Sequence, residues 1–309
     1  MVRDWLRPFT RIHTIPVSRK LLVYLVLMGL YTALVDWFSS GDSKTFVQAN
    51  GGLFGSLILS VLIVFRTNSA NDRWWEARKL WGQLVNDSRN FIIKLSCFPG
   101  IEESSREQLS RLLIAFPFAL KQHLRGDTNL CHVPGFEQDQ HKPNHLPLYI
   151  AEQTYVFLSL LKTKKQIDGF EQLQLDRHAR ALMDICGACE RIKSSPIALS
   201  YRAIMRQLIA LNLLGLPWYL APDFHLWTVP IALVAAYFLI GLELIAEDIE
   251  EPFGVGDDNL PLEKYCETIK CSINDVLSAE HDPEAIVNEL ARAVQGQSPT
   301  GSAVSQSTP

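Results

Sequence analysis

The sequence has no surplus of positive charge. Its 29 Lys and Arg against 33 Asp and Glu leave a net charge of −4, which gives no support to a nucleic-acid-binding footprint. Cysteine is sparse and unpatterned. Cys97, Cys131, Cys266 and Cys271 show no pairing scheme and suit a reducing, cytoplasm-facing setting. Cys186 and Cys189 form a lone C-x-x-C, which reads as two small buried thiols on a helix rather than a metal or redox centre. Catalytic signatures are missing as well: there is no G-x-S-x-G, no H-E-x-x-H and no acidic pair inside an apolar run, so a membrane enzyme has little to rest on. The start of the chain does not read as a cleavable signal peptide, because twenty residues precede the first apolar run and no cleavage site follows it. No internal repeat is visible.

What the chain does have is four apolar segments in an otherwise ordinary composition of 48% hydrophobic and 20% charged residues. They lie at 21–38, 45–65, 207–222 and 224–242. Each meets or approaches the roughly 20 apolar residues that a membrane span needs. The first contains one charge, Asp36, and the other three contain none. The basic residues alternate around them. Arg3, Arg7, Arg11, Arg19 and Lys20 precede the first segment, only Lys44 follows it, and the basic residues return from Arg66 to Lys79. Arg202 and Arg206 precede the third segment, and "APDFH" after it has no Lys or Arg. This bias predicts four spans with both termini cytoplasmic. Four buried helices of a large soluble domain are the plainer alternative.

The remainder reads as helix and loop. Residues 1–20 form a short amphipathic lead with Trp5 and Phe9 at an interface. Cytosolic helices are expected over 66–204 and 243–276, among them 105–124, 148–162 and 170–193, with a further helix over 277–294 and a polar, disordered tail over 295–309. Roughly half of the ordered chain is thus cytosolic helix, so the predicted architecture is all-α: a four-helix membrane bundle on a helical cytosolic body. The loop at 125–147 contains Cys131, His132, His141 and His145, which read as solvated side chains because no paired ligand motif accompanies them.

One stretch stands out. "LILSVLIVFRTNSANDRWWEARKLWGQL" (57–84) passes from nine apolar residues into strongly charged sequence with no Pro or Gly at the transition. A helix of this kind has to be surrounded by protein or water beyond Phe65. Residues four apart share a helix face, so Gly52, Ser56 and Ser60 form a small stripe, and Leu57, Val61 and Phe65 form a bulky apolar one. Around a central axis, several copies of the second stripe would make stacked apolar collars, a geometry that can gate by dewetting. In an isolated span the same stripe would mean only lipid contact or core.

The block at 65–84, with "CGACERIKSSPIALSY" (186–201) and "AEDIEEPFGVGDDNLPL" (246–262), resembles the bestrophin ion channels, particularly their prokaryotic members. The resemblance runs from about Arg7 to about Val276. It implies a homopentamer with one axial pore lined by the second helix of each subunit. The neck positions it implies are Leu57, Val61 and Phe65, and counting back sixteen positions from Cys186 places a cytosolic aperture at Phe170. Animal bestrophins bind calcium through acidic residues after Pro-Phe-Gly. Here Val255 and Gly256 replace two of those positions while Asp257, Asp258 and Asn259 remain, so the expectation is a channel with no cofactor and no calcium dependence. The implied setting is the plasma (inner) membrane of a prokaryote, with the membrane lipids and the permeant ion as partners.

Chloride is the leading permeant ion because most of the family conducts anions. A monovalent-cation channel of the same family is the alternative, compatible with the acidic balance. A non-conducting scaffold is the reading from another class. Arg73, Glu76 and Arg78 read as members of an intersubunit ion-pair network, Trp74 and Trp75 as packing residues, and Glu247–Glu251 as a solvated helix end that pairs with the basic residues of the second helix.

Overall fold

The computed structural model describes residues 18–39, 50–138 and 142–278, and every regular element among them is helical. In chain order the helices are α1 (Ser18–Ser39), α2 (Asn50–Cys97), α3 (Glu103–Leu124), α4 (Leu146–Thr163), α5 (Gly169–Ser194), α6 (Leu199–Phe224), α7 (Thr228–Glu250) and α8 (Leu262–Ser278). Single 3-10 turns at Leu130–His132 and His225–Trp227 occupy two of the connections. The N-terminal lead, most of the first connection, His141, nearly all of the expected 277–294 helix and the 295–309 tail lie outside the described residues.

The element that organises the rest is α2. Its 48 residues make a rod of roughly 70 Å at 1.5 Å per residue, and it runs to Cys97, further than the sequence suggested. Two packing groups share it. Its first half lies against α6 and α7, with α1 packed on both of those helices. Met28, Leu59, Ile63, Met205, Ile209, Leu213, Ala232 and Ala236 form the buried core of this group. Its second half lies against α5 and α8, while α3 packs on α4 and α8, around a larger core that includes Trp81, Phe91, Leu95, Phe116, Leu120 and Ile185. Burying each of the two phenylalanines contributes about 1.5–3 kcal/mol to the fold.

Among the described residues, two helical stretches are long and apolar enough to cross a membrane: Lys20–Phe38 with mean hydropathy 1.9, and Leu199–Glu250, covering α6 and α7, with mean hydropathy 2.2. Phe224 closes α6 instead of opening the next segment, and the left-handed His225 (φ 46°) makes the turn. Polar side chains bind these helices together. The Tyr31 hydroxyl donates to the Leu214 carbonyl at 2.9 Å, the Trp218 indole donates to Tyr31 at 2.9 Å, and Asn212 donates to the Ser56 hydroxyl at 3.1 Å. In an apolar setting, such bonds between helices act as glue.

Capping fixes where the remaining helices begin and end. Asp168 accepts from the Glu171 amide at 2.7 Å while Glu171 accepts from the Asp168 amide at 2.8 Å, a reciprocal capping box that starts α5. Helix α3 closes on Gly126 (φ 81°), with Asp127 N–H donating to the Gln122 carbonyl and Gly126 N–H to the His123 carbonyl. Helix α4 ends in the same way on Lys165 (φ 58°), where Gln166 N–H reaches the Leu161 carbonyl. A lysine in that conformation costs about 1–2 kcal/mol that a glycine would not.

Candidate functional site

The apolar row on α2 has no partner among the described residues. Leu57 is 63% exposed, Val61 49% and Phe65 60%, while Leu59 and Ile63 on the opposite face are at 2% and 5%. A row of bulky apolar side chains on this face needs a partner outside the chain: lipid, or further copies of itself. The Ser56 and Ser60 side chains are also exposed, and Ser60 donates back to the Ser56 carbonyl at 2.8 Å.

Directly after Phe65 the helix turns its charge inward. The Arg66 side chain is wholly buried, with Nη2 2.7 Å from Glu250 Oε2 and Nε 3.6 Å from Glu243 Oε2, both carboxylates lying on α7. The short approach to Glu250 is an ion pair and not an aligned hydrogen bond: Arg66 Nε, Nη1 and Nη2 have no hydrogen-bond acceptor among the described residues. Glu250 is held from its other side by the Ile197 amide at 3.0 Å. Glu243 is shared with Arg206 at 3.4 Å, and Arg206 also pairs with Glu247 at 2.8 Å. Lys20 lies 3.7 Å from Asp248. The acidic end of α7 is therefore pinned by cations from three helices.

Below this joint, Arg73 crosses from α2 to the ends of two other helices. Its guanidinium donates to the carbonyls of Glu250 (3.2 Å), Ile192 (2.8 Å) and Ser195, which are acceptors that helix C-termini leave without partners. Glu76 pairs with Arg191 at 2.9 Å, and Arg78 lies over the rings of Trp74 and Trp75 at 5.9 and 5.6 Å.

The loop after α7 is tied from two directions. Arg125 pairs with Glu263 and donates to the carbonyls of Phe253 (3.4 Å) and Gly254 (3.2 Å). The Asn259 side chain accepts from the Gly256 amide at 2.6 Å and donates to the carbonyls of Asp248 (3.0 Å) and Glu251 (2.8 Å). A Cβ on Gly254 would stand 2.6 Å from the Asn259 carbonyl oxygen, so glycine is required there. Asp257 is exposed and Asp258 half-buried, and the Asp258 carboxyl is pushed above the usual range by burial and by the neighbouring charges of Asp248 and Asp257. Phe170 sits in the first turn of α5 and is 79% exposed, with Leu173 exposed one turn on.

A model of the bacterial and fungal bestrophins matches residues 2–275. The chain is a member of the bestrophin family. Among curated relatives, a voltage-dependent anion channel-forming protein of Nostoc sp. is 32% identical over 270 residues, covering 84% of this chain and 86% of that one. A protein of the same name from Synechocystis sp. is 30% identical over 273 residues, covering 85% and 88%. Among solved structures, a variant of a bacterial bestrophin homolog from Klebsiella pneumoniae superposes with a TM-score of 0.77 at 21% identity, covering 84% of this chain and all of that one. At that identity the likeness concerns the fold.

Several sequence-based expectations need correcting in this bestrophin. Glu250 pairs with Arg66 of α2, as expected of the acidic stretch, but it is 1% exposed and not solvated. Arg73 and Glu76 find their partners inside their own chain, and Trp75 is half-exposed and carries Arg78. His145 is no solvated loop histidine, since its Nδ1 accepts from the Leu148 amide at 3.1 Å and caps α4. Its Nε2 lies 2.8 Å from Glu190 Oε1, and His123, which the sequence reading did not single out, lies 2.6 Å from the same oxygen. His132 pairs with Asp127 at 2.7 Å, which holds the Asp127 carboxyl below the usual range. Cys186 and Cys189 are fully buried, and burial pushes the Cys186 thiol up to about 12, away from the thiolate that metal or redox chemistry needs. Spacing alone carried a signal for the Arg66 pairings: Glu243, Glu247 and Glu250 recur on one face at the end of an apolar run, where a charge requires a partner.

Proposed function

We propose that the chain assembles as a homopentameric ion channel with four membrane-spanning helices per subunit, α1, the first half of α2, α6 and α7, and with both termini on the cytoplasmic side. The pore is axial. Leu57, Val61 and Phe65 of each subunit form its apolar neck, and Phe170 narrows the cytosolic exit. Chloride is the leading permeant ion, a reading supported by the anion-channel-forming names of the relatives.

The observation that carries this reading is the exposed row Leu57–Val61–Phe65 on a helix whose opposite face is buried. A lipid-facing row would account for exposure alone. It would not account for the polar continuation of the same helix, which lies against a cytosolic helical body beyond Arg66. A pore axis explains both halves, because one face of a straight helix can line hydrocarbon collars above and a water-filled vestibule below. Such a neck discriminates poorly by charge. The edge of the Phe65 ring carries the positive side of its quadrupole and favours anions. Calcium is not required in this reading, because the Asn259 side chain is already committed to three backbone partners and no longer free to ligate.

The test is the reversal potential of purified protein in a planar bilayer under a calcium-free KCl gradient, for wild type and Phe65→Ala. A potential near the chloride equilibrium value, with conductance or selectivity altered in Phe65→Ala and the oligomer intact, is the expected result. A potential near the potassium value would assign the protein to cation conduction, and complete absence of current from intact oligomer would remove the channel reading.

A further inference from the structure

We infer that His123, His145 and Glu190 form a binding site for a divalent transition-metal ion of the zinc class, on the rim of the cytosolic body and away from the proposed pore neck. Their ligand atoms lie within 4.8 Å of one another, and none of the three belongs to the proposed pore. The three side chains come from three elements: His123 from the last turn of α3, His145 from the cap of α4, and Glu190 from the last two turns of α5. His123 Nε2 stands 2.6 Å and His145 Nε2 2.8 Å from the single oxygen Glu190 Oε1. The two imidazole rings are stacked, with centroids 4.3 Å apart and planes 24° apart, so both Nε2 atoms face the carboxylate from one side.

Two imidazoles and one carboxylate are a recurring protein ligand set for zinc, with the fourth position left to water. All three groups are partly exposed, at 22%, 29% and 37%, which gives an ion an entry path. Zinc–ligand bonds of about 2.0–2.1 Å in a tetrahedron need ligand atoms about 3.3 Å apart. Opening the present 2.6 and 2.8 Å contacts to that spacing takes less than 1 Å at each. The ends of α3 and α5 also bring the negative poles of two helices near the cation. An opposing charge is Lys193, whose Nζ donates to the His123 carbonyl at 3.3 Å.

Binding has a structural consequence. Leu148 N–H donates to His145 Nδ1, so the proton of the neutral ring sits on Nε2 and is given to Glu190. Coordination through Nε2 requires the ring to carry that proton on Nδ1 instead, and the cap on Leu148 is then given up. Metal loading and capping of α4 are alternatives, and the metal-loaded protein exposes the first-turn amides of α4 to exchange.

The experiment uses full-length oligomer, stripped with chelator, with the exposed Cys97, Cys131 and Cys271 replaced by Ser to remove adventitious thiol ligands. Zn²⁺ is titrated by calorimetry, and amide exchange at Leu148 is followed with and without the ion. The expected result is one ion per chain, faster exchange at Leu148 when loaded, and affinity at least about tenfold weaker in His123→Ala, His145→Ala and the near-isosteric Glu190→Gln, each with an unchanged elution volume. No binding, or binding that Glu190→Gln and His123→Ala leave unchanged, would overturn the inference. Binding that survives His145→Ala at full strength would also overturn it, because two ligands would remain.

Discussion

Replacing Arg66 with methionine keeps an unbranched side chain of roughly the length of the arginine stem and removes the charge from a site where the guanidinium is wholly buried. The structure gives the scale of the effect. At an effective dielectric near 20, a charge pair at the 2.7 Å separation from Glu250 attracts by about 6 kcal/mol, and the 3.6 Å pair with Glu243 by about 5 kcal/mol. Desolvating the three groups offsets much of this, so the network as a whole contributes little net stability. Removing one member is different, because the desolvation cost of the others then stands uncompensated. Glu243 keeps Arg206 as a partner, so the loss concentrates on Glu250, which retains the Ile197 amide. The expected cost for Arg66→Met is about 3–5 kcal/mol. For a chain of this size that corresponds to a fall of roughly 10 °C in apparent melting temperature.

The assay is thermal stability of the oligomer in detergent, read by fluorescence-detected size exclusion, over a full double-mutant cycle. Arg66→Met with Glu250→Gln should recover more than half of the loss, because no unpaired charge is left buried. Arg66→Met with Glu247→Gln should recover none, since Glu247 belongs to Arg206. A cost below about 1 kcal/mol for Arg66→Met, or an equal rescue by both second substitutions, would refute the argument that this arginine is the paired charge at the joint.

Three further outcomes follow from individual contacts. Gly254→Ala puts a Cβ 2.6 Å from the Asn259 side chain and should break its three backbone bonds, for a loss of about 2 kcal/mol in denaturant or thermal stability. Lys165→Gly should raise stability by about 1 kcal/mol by removing the side chain from a left-handed turn, and a neutral or destabilising result in the same melts would contradict the Schellman geometry. The Arg125 guanidinium holds the Glu263 carboxyl below the ordinary glutamate range, so its contribution is fully present above that range and is lost as pH falls through the lower folded value. Because this carboxylate is more than half exposed, Glu263→Gln should cost less than about 1 kcal/mol at pH 7, and the cost should shrink as the pH is lowered below the ordinary glutamate range, which melts over an acid series would measure.

Much of the architecture was legible because it rests on local periodicity. The continuous helix through Phe65 and Arg66 follows from unbroken helical sequence, and α5 at Gly169–Ser194 is within one residue of the stretch read at 170–193. The alternation of basic residues around the apolar segments could be read for the same reason. What escaped was burial at long sequence separation. Pairing of the acidic end of α7 with α2 was legible, but not that Arg66, Glu243 and Glu250 are all buried where they meet. His123 was hidden in the same way, inside an ordinary amphipathic helix and 67 residues from Glu190. His145 was misread because a loop histidine and a helix cap look alike until the helix start is known to one residue. Gly254 belongs to the Pro-Phe-Gly block, but the close approach of the Asn259 side chain to Gly254 and Gly256 is visible only in three dimensions.

The joint at Phe65 and Arg66 resolves the puzzle of a helix that begins apolar and ends charged. Adjacent residues on a helix point about 100° apart, so an exposed Phe65 and a buried Arg66 are compatible at one level of the rod. The aromatic ring faces whatever lies outside the chain, and the guanidinium faces α7. An arginine beside an apolar helical stretch is tolerated when it pairs with carboxylates, and Glu243 and Glu250 of α7 supply that pairing. The same pairing fixes the rotation of α2 about its own axis. If the helix turned by one residue, Arg66 would move away from both carboxylates and the row Leu57–Val61–Phe65 would leave its face. The buried network therefore constrains the direction of the apolar row more than it stabilises the fold. Partial substitutions at Glu243 or Glu250 should for this reason disturb conductance before they disturb assembly.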